Sequence, residues 1–418
     1  MRRLMLTFFL LVGTAPVGVA QQAPATDPKS DPASDLPHGF VDEPHVIGRA
    51  VDHADKYLGS GSSTTQKDGF YPEFGNMVTG AGWISGGPGY RHHFLDGKLM
   101  VDGSAAISWR AYKTAQARVE APKLAGNRLT IGARVQWQDL TQVNYFGIGP
   151  DSLEDERSEF RLKETDVAGY ALVRANRWLT IGGRFGWIDA PTIEEPAGPF
   201  DRGFPDTRLV FPNDPGVAEQ SSMLHGGVGA EVDTRDYPSR PTRGGFYRAA
   251  WQIFSDRDLH QFSFQRSEVE GVQLLPVNER WVLGVHGWAV FSTTDSGNTV
   301  PFYMLPSIGG TNTLRGFSNY RFHDRNMLVA NVESRWALFQ HIDAAAFFDA
   351  GSVAARAGDL DLDKTSWGAG VRVHSRTSTL ARLDVAHSTE GWKVVFNLSD
   401  PFRLARRSLR TMVIPFVP

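Results

Sequence analysis

The stretch Arg128–Gln138, RLTIGARVQWQ, decides the fold class of this chain. Its large apolar residues fall on every second position, with polar or small residues between them. A period of two is that of a β-strand with one apolar and one polar face. The same alternation recurs in WLTIGGRFGWI (178–188) and WKVVFNL (392–398). The apolar faces of the first and last stretches are Leu129, Ile131, Ala133, Val135 and Trp137, and Trp392, Val394, Phe396 and Leu398.

This alternation continues from about residue 70 to residue 402, and two all-β architectures are compatible with it. A soluble sandwich turns its apolar faces into a core, whereas a membrane barrel turns them toward lipid. Alternation alone does not distinguish the two. Three further features favour the barrel: an export signal, a single series of about sixteen strands, and loops that alternate in length.

The connections between the predicted strands are alternately short and long. Tight turns such as LDGK (95–98) and ANR (175–177) alternate with long segments such as 188–221 and 292–325. Outer-membrane barrels have short periplasmic turns and long external loops. The prediction is an all-β protein whose residues 70–402 form a 16-stranded antiparallel transmembrane β-barrel.

Both ends of the chain are predicted to be periplasmic. Residues 1–20 have the charged start, short apolar run and small-residue cleavage site of a secretory signal peptide. Residues 21–69 combine a Pro- and Asp-rich disordered segment with a short amphipathic helix around 45–58. Residues 403–418 are predicted to be a basic and apolar tail, because their arginines cannot all face away from hydrocarbon on a strand.

Composition and motifs give no case for nucleic-acid binding, a cofactor or catalysis. The net charge is −3 and there is no cysteine, which excludes disulfides and thiolate metal sites. His92 and His93 are adjacent, so on a strand they are expected to point to opposite sides and not to share a metal. No feature predicts an oligomeric state, and the expectation is a protein that is not an enzyme.

A glycine-rich segment late in the chain, GGTNTLRGF (309–317), carries one arginine and no acid. By strand count it lies in the sixth external loop. The segment resembles the loop motif [VL]RG[FY] of the BamA/TamA superfamily of outer-membrane assembly barrels, also called the bacterial surface antigen family. Here that motif is Leu314, Arg315, Gly316 and Phe317.

Three other stretches resemble the same family in the same order. DTRDYPSRPTRGGFY (233–247) is similar to its turn before the ninth strand, and FFDAG (347–351) to its Phe-x-Asp-x-Gly strand motif with Phe347 and Gly351. FYPEFGNMVTGAG (70–82) is similar to its entry into the first barrel strand. The resemblance covers about residues 70–402, without the periplasmic POTRA repeats of members that insert proteins.

The resemblance implies that the sixth loop folds into the barrel and that Arg315 meets acids on the inner wall. Alternation places Glu333 and Asp349 on the inward faces of neighbouring strands once a barrel is granted. A guanidinium fork can donate to planar carboxylates in a way that lysine cannot. The alternative is an ordinary solvated loop arginine with unrelated interior acids.

The predicted first strand, GNMVTGAGWISGGPG (75–89), is crowded with glycines that include Gly80 and Gly82. In a closed barrel it pairs with the last strand, which carries Phe396 and is expected to end near Phe402. Glycine weakens a strand, and a weak closing seam is what the family is thought to open for substrates. The alternative is that the glycines allow tight curvature.

The resemblance implies a role in assembly or translocation of proteins or lipids at the bacterial outer membrane. The alternative is a gated transport pore without an assembly role. The expected partners are outer-membrane lipids, including lipopolysaccharide, and substrate outer-membrane proteins or lipids.

Overall fold

A computed structural model describes residues 39–58, 68–74, 84–199 and 203–402. Three predictions concern segments that lie outside these residues: the signal peptide, most of the disordered segment and the tail at 403–418. Gly80 and Gly82 of the predicted seam lie outside them as well.

The described residues form one large antiparallel sheet of seventeen strands and a separate two-stranded one. Sixteen of the seventeen follow one another in chain order as hydrogen-bonded neighbours, and the short β8 adds to β6 beside them. The prediction of an all-β, 16-stranded antiparallel architecture is therefore confirmed. The strands are β1 (Gly69–Phe74), β2 (Ser85–Phe94), β3 (Leu99–Ser108), β4 (Lys113–Lys123), β5 (Leu129–Tyr145), β6 (Ser158–Arg174), β7 (Leu179–Ile188), β8 (Thr192–Glu194), β9 (Met223–Asp233), β10 (Gly244–Asp256), β11 (Phe264–Asn278), β12 (Trp281–Thr293), β13 (Ser307–Ile308), β14 (Phe322–His323), β15 (Asn326–Ala337), β16 (Ile342–Ala354), β17 (Lys364–His374), β18 (Thr379–Ser388) and β19 (Gly391–Asn397).

The large sheet curls around an interior. The backbone N–H of Thr379, at the start of β18, donates to the carbonyl of Ser239 in the β9–β10 turn at 3.1 Å. Thr379 directly follows the turn between β17 and β18. Four strands (β11, β12, β15 and β16) separate β17 from β10, so the path along the sheet is roughly 25 Å at about 4.8 Å per strand. Only a strongly curved sheet brings these two turns into contact.

The two faces of the sheet have inverted polarity. On β10, Arg248 and Gln252 are buried on the interior face, whereas Trp251 and Ile253 are exposed on the outer face. A soluble sandwich would bury the aromatic and aliphatic side chains instead. An apolar outer face around a polar interior is the pattern of a sheet that meets lipid.

The connections differ in length at the two ends of the strands. At one end, here called the short-turn end, they include residues 95–98, 175–178 and the tight turn α2 (Leu124–Asn127), in which Ala125 and Gly126 have positive φ. At the other, the long-loop end, they include residues 189–222, with the short helix α3 (Thr207–Val210), and 294–325. The latter is the sixth connection at its end, as predicted from the sequence, and is called the sixth loop below.

The amphipathic helix predicted near the N-terminus is α1 (His45–Leu58). It lies at the short-turn end, since Glu43 accepts from the backbone N–H of His341 at 2.7 Å and the Phe40 N–H donates to the Ala337 carbonyl at 3.0 Å. Within the described part of the chain, none of the helices has the length and apolar character needed to cross a membrane.

The structure differs from the sequence prediction at both edges of the strand series. Residues 75–83 of the predicted first strand lie outside the described residues, and β1 covers 69–74. Gly86, Gly87 and Gly89, predicted to lie on the first strand, belong to β2 instead. The last strand ends at Asn397 and not at Phe402. Pro401 cannot donate to a strand ladder and Asp400 is paired with an interior arginine, so the chain leaves the sheet there.

Candidate functional site

The sixth loop folds into the interior of the sheet and packs there on an apolar cluster. Leu314 is fully buried and Phe317 nearly so. They contact apolar side chains that project inward from the strands on either side of the loop. The cluster is Trp288, Val290, Ile308, Leu314, Phe317, Phe322, Met327, Val329 and Val353.

Arg315, between these two anchors, contacts both acids singled out in the sequence. Its Nε and Nη2 donate to the two carboxylate oxygens of Asp349 at 3.0 and 2.7 Å, and its Nη1 donates to Glu333 at 2.6 Å. Its backbone N–H also donates to Asp349 at 3.1 Å. The guanidinium is 3.4 Å from the ring centroid of Phe347 and only 3% of the residue is exposed. Arg315, Glu333, Phe347 and Asp349 are called the Arg315 cluster below.

Strand register explains why these side chains meet. Glu333 on β15 is paired with Phe347 on β16, and Asn331 is paired with Asp349. All four face inward, because they occupy positions of one parity. Asn331 Nδ2 donates to Asp349 at 2.9 Å and to the carbonyl of Thr313 at 2.6 Å, which fixes the loop beside the arginine.

Both motif glycines stand where the loop approaches the wall closely. A Cβ on Gly316 would lie 2.6 Å from the Cβ of Ser366 and 2.8 Å from that of Ser388, so no larger residue fits without movement. The Gly316 carbonyl accepts from Ser388 Oγ at 2.7 Å. Gly351 is less tight, since a Cβ there would come no closer than 3.2 Å to the Leu328 carbonyl.

Three charged residues that the sequence analysis did not single out extend the Arg315 cluster. Arg372 donates to Glu333 at 2.9 Å and to Asp384 at 2.5 Å, and Arg382 Nη1 lies 3.7 Å from Asp384. The alternation along β17 and β18 puts these three residues on the interior face, so the sequence could have identified them as interior residues. Their ion-pair partners could not be predicted from the sequence, because contacts across the interior depend on how the sheet curves.

The charges of this network balance. Its arginines are Arg315, Arg335, Arg372 and Arg382, and its acids are Glu333, Asp349, Asp384 and Asp400. For Arg315, burial disfavours the charged form, but the carboxylates of Asp349 and Glu333 outweigh it and raise the pKa above its usual range. The loop therefore carries a permanent positive charge into a site built of carboxylates.

A second apolar cluster fills the long-loop end of the interior. It combines the parts of β5, β6, β10 and β11 nearest the long-loop end with residues of the long loops. This cluster is called the dome below. Tyr145, Phe160 and Phe302 form its centre, with ring centroids 4.9 to 6.4 Å apart. Its buried members are Tyr112, Leu140, Val143, Tyr145, Phe160, Leu162, Ile188, Ile193, Val217, Met223, Phe254, Phe262, Phe264, Val300, Phe302, Tyr303, Met304, Leu305 and Tyr320.

The remaining candidate residues that the structure describes lie outside the Arg315 cluster and the dome. Phe396 is exposed on the outer face of β19, as its alternation predicted, whereas Phe402 lies inside the sheet. His92 and His93, expected to point apart, both bring Nδ1 within 3.2 Å of the Asp68 carboxylate. No group of three or more His, Cys, Asp or Glu residues able to hold a metal ion occurs in the described ranges.

The comparison with family models decides the classification. The model of the Omp85 superfamily domain matches residues 110–391, which include the sixth loop and the Arg315 cluster. The chain belongs to the Omp85 superfamily. The BamA/TamA-type resemblance drawn from its motifs is thereby confirmed. No match was found among curated proteins.

Two solved structures show the Omp85 fold at low sequence identity. BamA from Haemophilus ducreyi lacking POTRA domains 1–3 is 14% identical, with a TM-score of 0.60 over 84% of this chain and 78% of that one. CdiB from Escherichia coli is 13% identical, with a TM-score of 0.50 over 81% of this chain and 63% of CdiB. This chain thus spans less than two thirds of the length of CdiB.

Proposed function

We propose that this protein is an outer-membrane barrel that acts in the assembly or translocation of proteins or lipids, with the sixth loop locked in the interior by Arg315. The observation that carries the proposal is the position of this loop. An arginine with two buried carboxylate partners anchors a segment that occupies the interior. A permanently open channel would not need such an anchored segment inside it.

Burial makes the lock sensitive to the loss of either partner. Removing one partner from a buried ion pair leaves an uncompensated charge, which typically costs about 3–5 kcal/mol. The loop is therefore expected to remain docked until the whole network rearranges. A buried, fully paired lock suits a barrel that opens only when cargo engages it.

The family and the fold support the location and the type of partner. The Omp85 barrels that this chain resembles lie in the bacterial outer membrane, and the outer face of its sheet is apolar. We infer that both termini are periplasmic, because α1 and the end of β19 lie at the short-turn end. Outer-membrane lipids, including lipopolysaccharide, and outer-membrane protein substrates are the proposed partners, and no catalytic role is proposed.

A gated transport pore is the second candidate. It is favoured by the charged interior wall, where residues such as Arg134, Arg184 and Asp166 form a buried group on β5, β6 and β7. Such a lining would suit polar solutes if the loop and the dome moved aside.

Depletion of the protein, followed by outer-membrane proteomics and lipid analysis, separates the two candidates. Assembly predicts a changed outer-membrane protein or lipid content, restored by the wild-type chain and by Arg325→Ala but not by Arg315→Ala. Arg325 is the matched control, since it lies in the same loop and donates to the Ala355 carbonyl, outside the Arg315 cluster. An unchanged content, together with a defect in solute uptake, would favour the pore.

A further inference from the structure

Residues Ser399–Phe402, separated by one residue from the end of the last strand at Asn397, turn into the interior and are called the strap below. Asp400 is the first anchor. Its carboxylate accepts from Arg335 Nη1 and Nη2 at 2.8 and 3.1 Å and from Thr379 Oγ1 at 3.1 Å. The backbone N–H of Phe402 donates to the same carboxylate at 2.8 Å, which folds the strap into a tight turn.

Phe402 is the second anchor, and its ring lies in an apolar pocket on the far side of the interior. The ring contacts the buried side chains Phe246, Val272 and Leu274 on β10 and β11, and only 2% of the residue is exposed. Arg335 lies 5.0 Å from the ring centroid, and Arg235 Nη1 donates to the Phe402 carbonyl at 3.4 Å.

The pocket has room for this ring because position 284 on β12 is glycine. A Cβ on Gly284 would lie 2.4 Å from the ring of Phe402, closer than two carbons can approach. Gly287, three residues further along the same strand, has no atom within 4 Å of where its Cβ would be. The two glycines therefore form a matched pair, one facing the strap and the other facing outward.

The strap thus runs from β19 past β15 and β18 to β10–β12, across the short-turn end of the interior. Its anchors are mainly side chains, since none of its residues belongs to a strand of the sheet. We propose that the strap is an autoinhibitory closure of the short-turn end, which leaves its pocket when the Asp400 and Phe402 contacts are broken.

This inference adds a second closure to the proposed function and does not depend on what the barrel carries. The strap is detected by chemical access to the purified barrel, whereas assembly is detected by the content of the membrane. Failure of one test therefore leaves the other standing.

Single cysteines report the position of the strap, because the chain has no cysteine of its own. Ser399→Cys places a probe on the strap, and Val272→Cys places one in the apolar cluster that holds the Phe402 ring; both native side chains are buried. Labelling with a membrane-impermeant maleimide is measured on heat-modifiable barrel, so that misfolded protein does not contribute.

Two variants are expected to release the strap: Gly284→Leu displaces the Phe402 ring, and Asp400→Ala removes the ion pair with Arg335. The controls are Gly287→Leu and Asp359→Ala, an exposed aspartate in the β16–β17 loop.

The proposal predicts that both probes are protected in the wild-type background. Ser399→Cys should label at least about tenfold faster with Gly284→Leu or Asp400→Ala, because labelling follows the population of the opened segment. Val272→Cys should respond in the same way to Asp400→Ala, and neither control should change the rate. The proposal is wrong if Ser399→Cys labels in the wild-type background as fast as in unfolded chain, or if Gly284→Leu behaves like Gly287→Leu. Protection of Val272→Cys after the strap has been released would show that the strap does not close the pocket.

Discussion

Glu333 and Arg335 stand two residues apart on β15, and their side chains meet at 2.8 Å on the interior face. Glu333 also accepts from Arg315 of the sixth loop, and Arg335 also donates to Asp400 of the strap. One ion pair on one strand therefore joins the loop at one end of the interior to the strap at the other. Because both side chains are buried, a change at either partner is expected to reach both ends.

The first prediction concerns this shared ion pair. Arg335→Ala removes a donor from Glu333 and from Asp400 and leaves two buried carboxylates less well paired. It should increase both protease cleavage in the sixth loop and labelling of Ser399→Cys, whereas Asp400→Ala should mainly increase the labelling. If Arg335→Ala affects only one of the two ends, the ends are not coupled through this residue.

The second prediction concerns the shape of the Arg315 side chain. Arg315→Lys keeps the positive charge but loses the fork that meets both oxygens of Asp349. Each lost charged hydrogen bond contributes about 1.5–3 kcal/mol, so the loop should open at least about tenfold more often. Limited proteolysis of folded barrel measures this, with Arg325→Lys as the control from the same loop. Equal cleavage of the two variants would contradict the role of the fork.

The third prediction concerns the close approach of the loop at Gly316. Gly316→Ala places a methyl group within 3 Å of Ser366 and Ser388, so the loop must shift away from β17 and β18. Faster cleavage of the loop is expected, at a cost typical of overpacking, about 1–3 kcal/mol. Gly358→Ala is the control, because nothing lies within 4 Å of that position. If the sixth loop of Gly316→Ala resists protease as well as that of the wild-type chain, then β17 and β18 move enough to accommodate the methyl group, and the prediction is wrong.

The fourth prediction concerns pH and His323, on β14 within the sixth loop. Burial, followed by the charge of Arg321, lowers the pKa of His323 to about 3. An undocked His323 takes up a proton below about pH 6.5, whereas the docked ring stays neutral down to about pH 3. Docking should therefore weaken as pH falls through this range, by up to about 1.4 kcal/mol per pH unit.

Loop cleavage by an acid-tolerant protease between pH 7 and pH 4 measures this effect. His323→Gln, which does not titrate, should flatten the pH dependence, whereas substitution of the exposed His260 in the β10–β11 loop should preserve it. The idea fails if the wild-type chain and His323→Gln show the same slope.

Much of this architecture could be predicted from local sequence pattern. A period of two is a property of each strand, so the inward faces of Glu333 and Asp349 follow from β15 and β16 alone. The path of the strap could not be predicted in this way. Ser399–Phe402 has no period, and the pocket for Phe402 is built by strands more than a hundred residues earlier in the chain. Long-range contacts of this kind depend on the curvature of the whole sheet, which no single segment encodes.

The first strand illustrates the same limit from another side. The glycines at 75–89 were predicted to mark the first strand, but those that the structure describes, Gly86, Gly87 and Gly89, lie on β2. Tyr71 explains part of the difference, because its ring lies over Gly89 on β2 and its hydroxyl donates to Asp102 on β3 at 3.0 Å. Gly89 therefore accommodates a neighbouring tyrosine, a role that is visible only when the partner strand is known.

The central claim is that the interior is closed at both ends, by the sixth loop with the dome and by the strap. Conductance of the purified protein in planar bilayers tests it most directly, with Arg315→Ala, Asp400→Ala and the double variant compared in parallel. The account predicts a quiet wild-type barrel, brief openings in each single variant and a sustained current in the double variant. A large steady current through the wild-type barrel would contradict it.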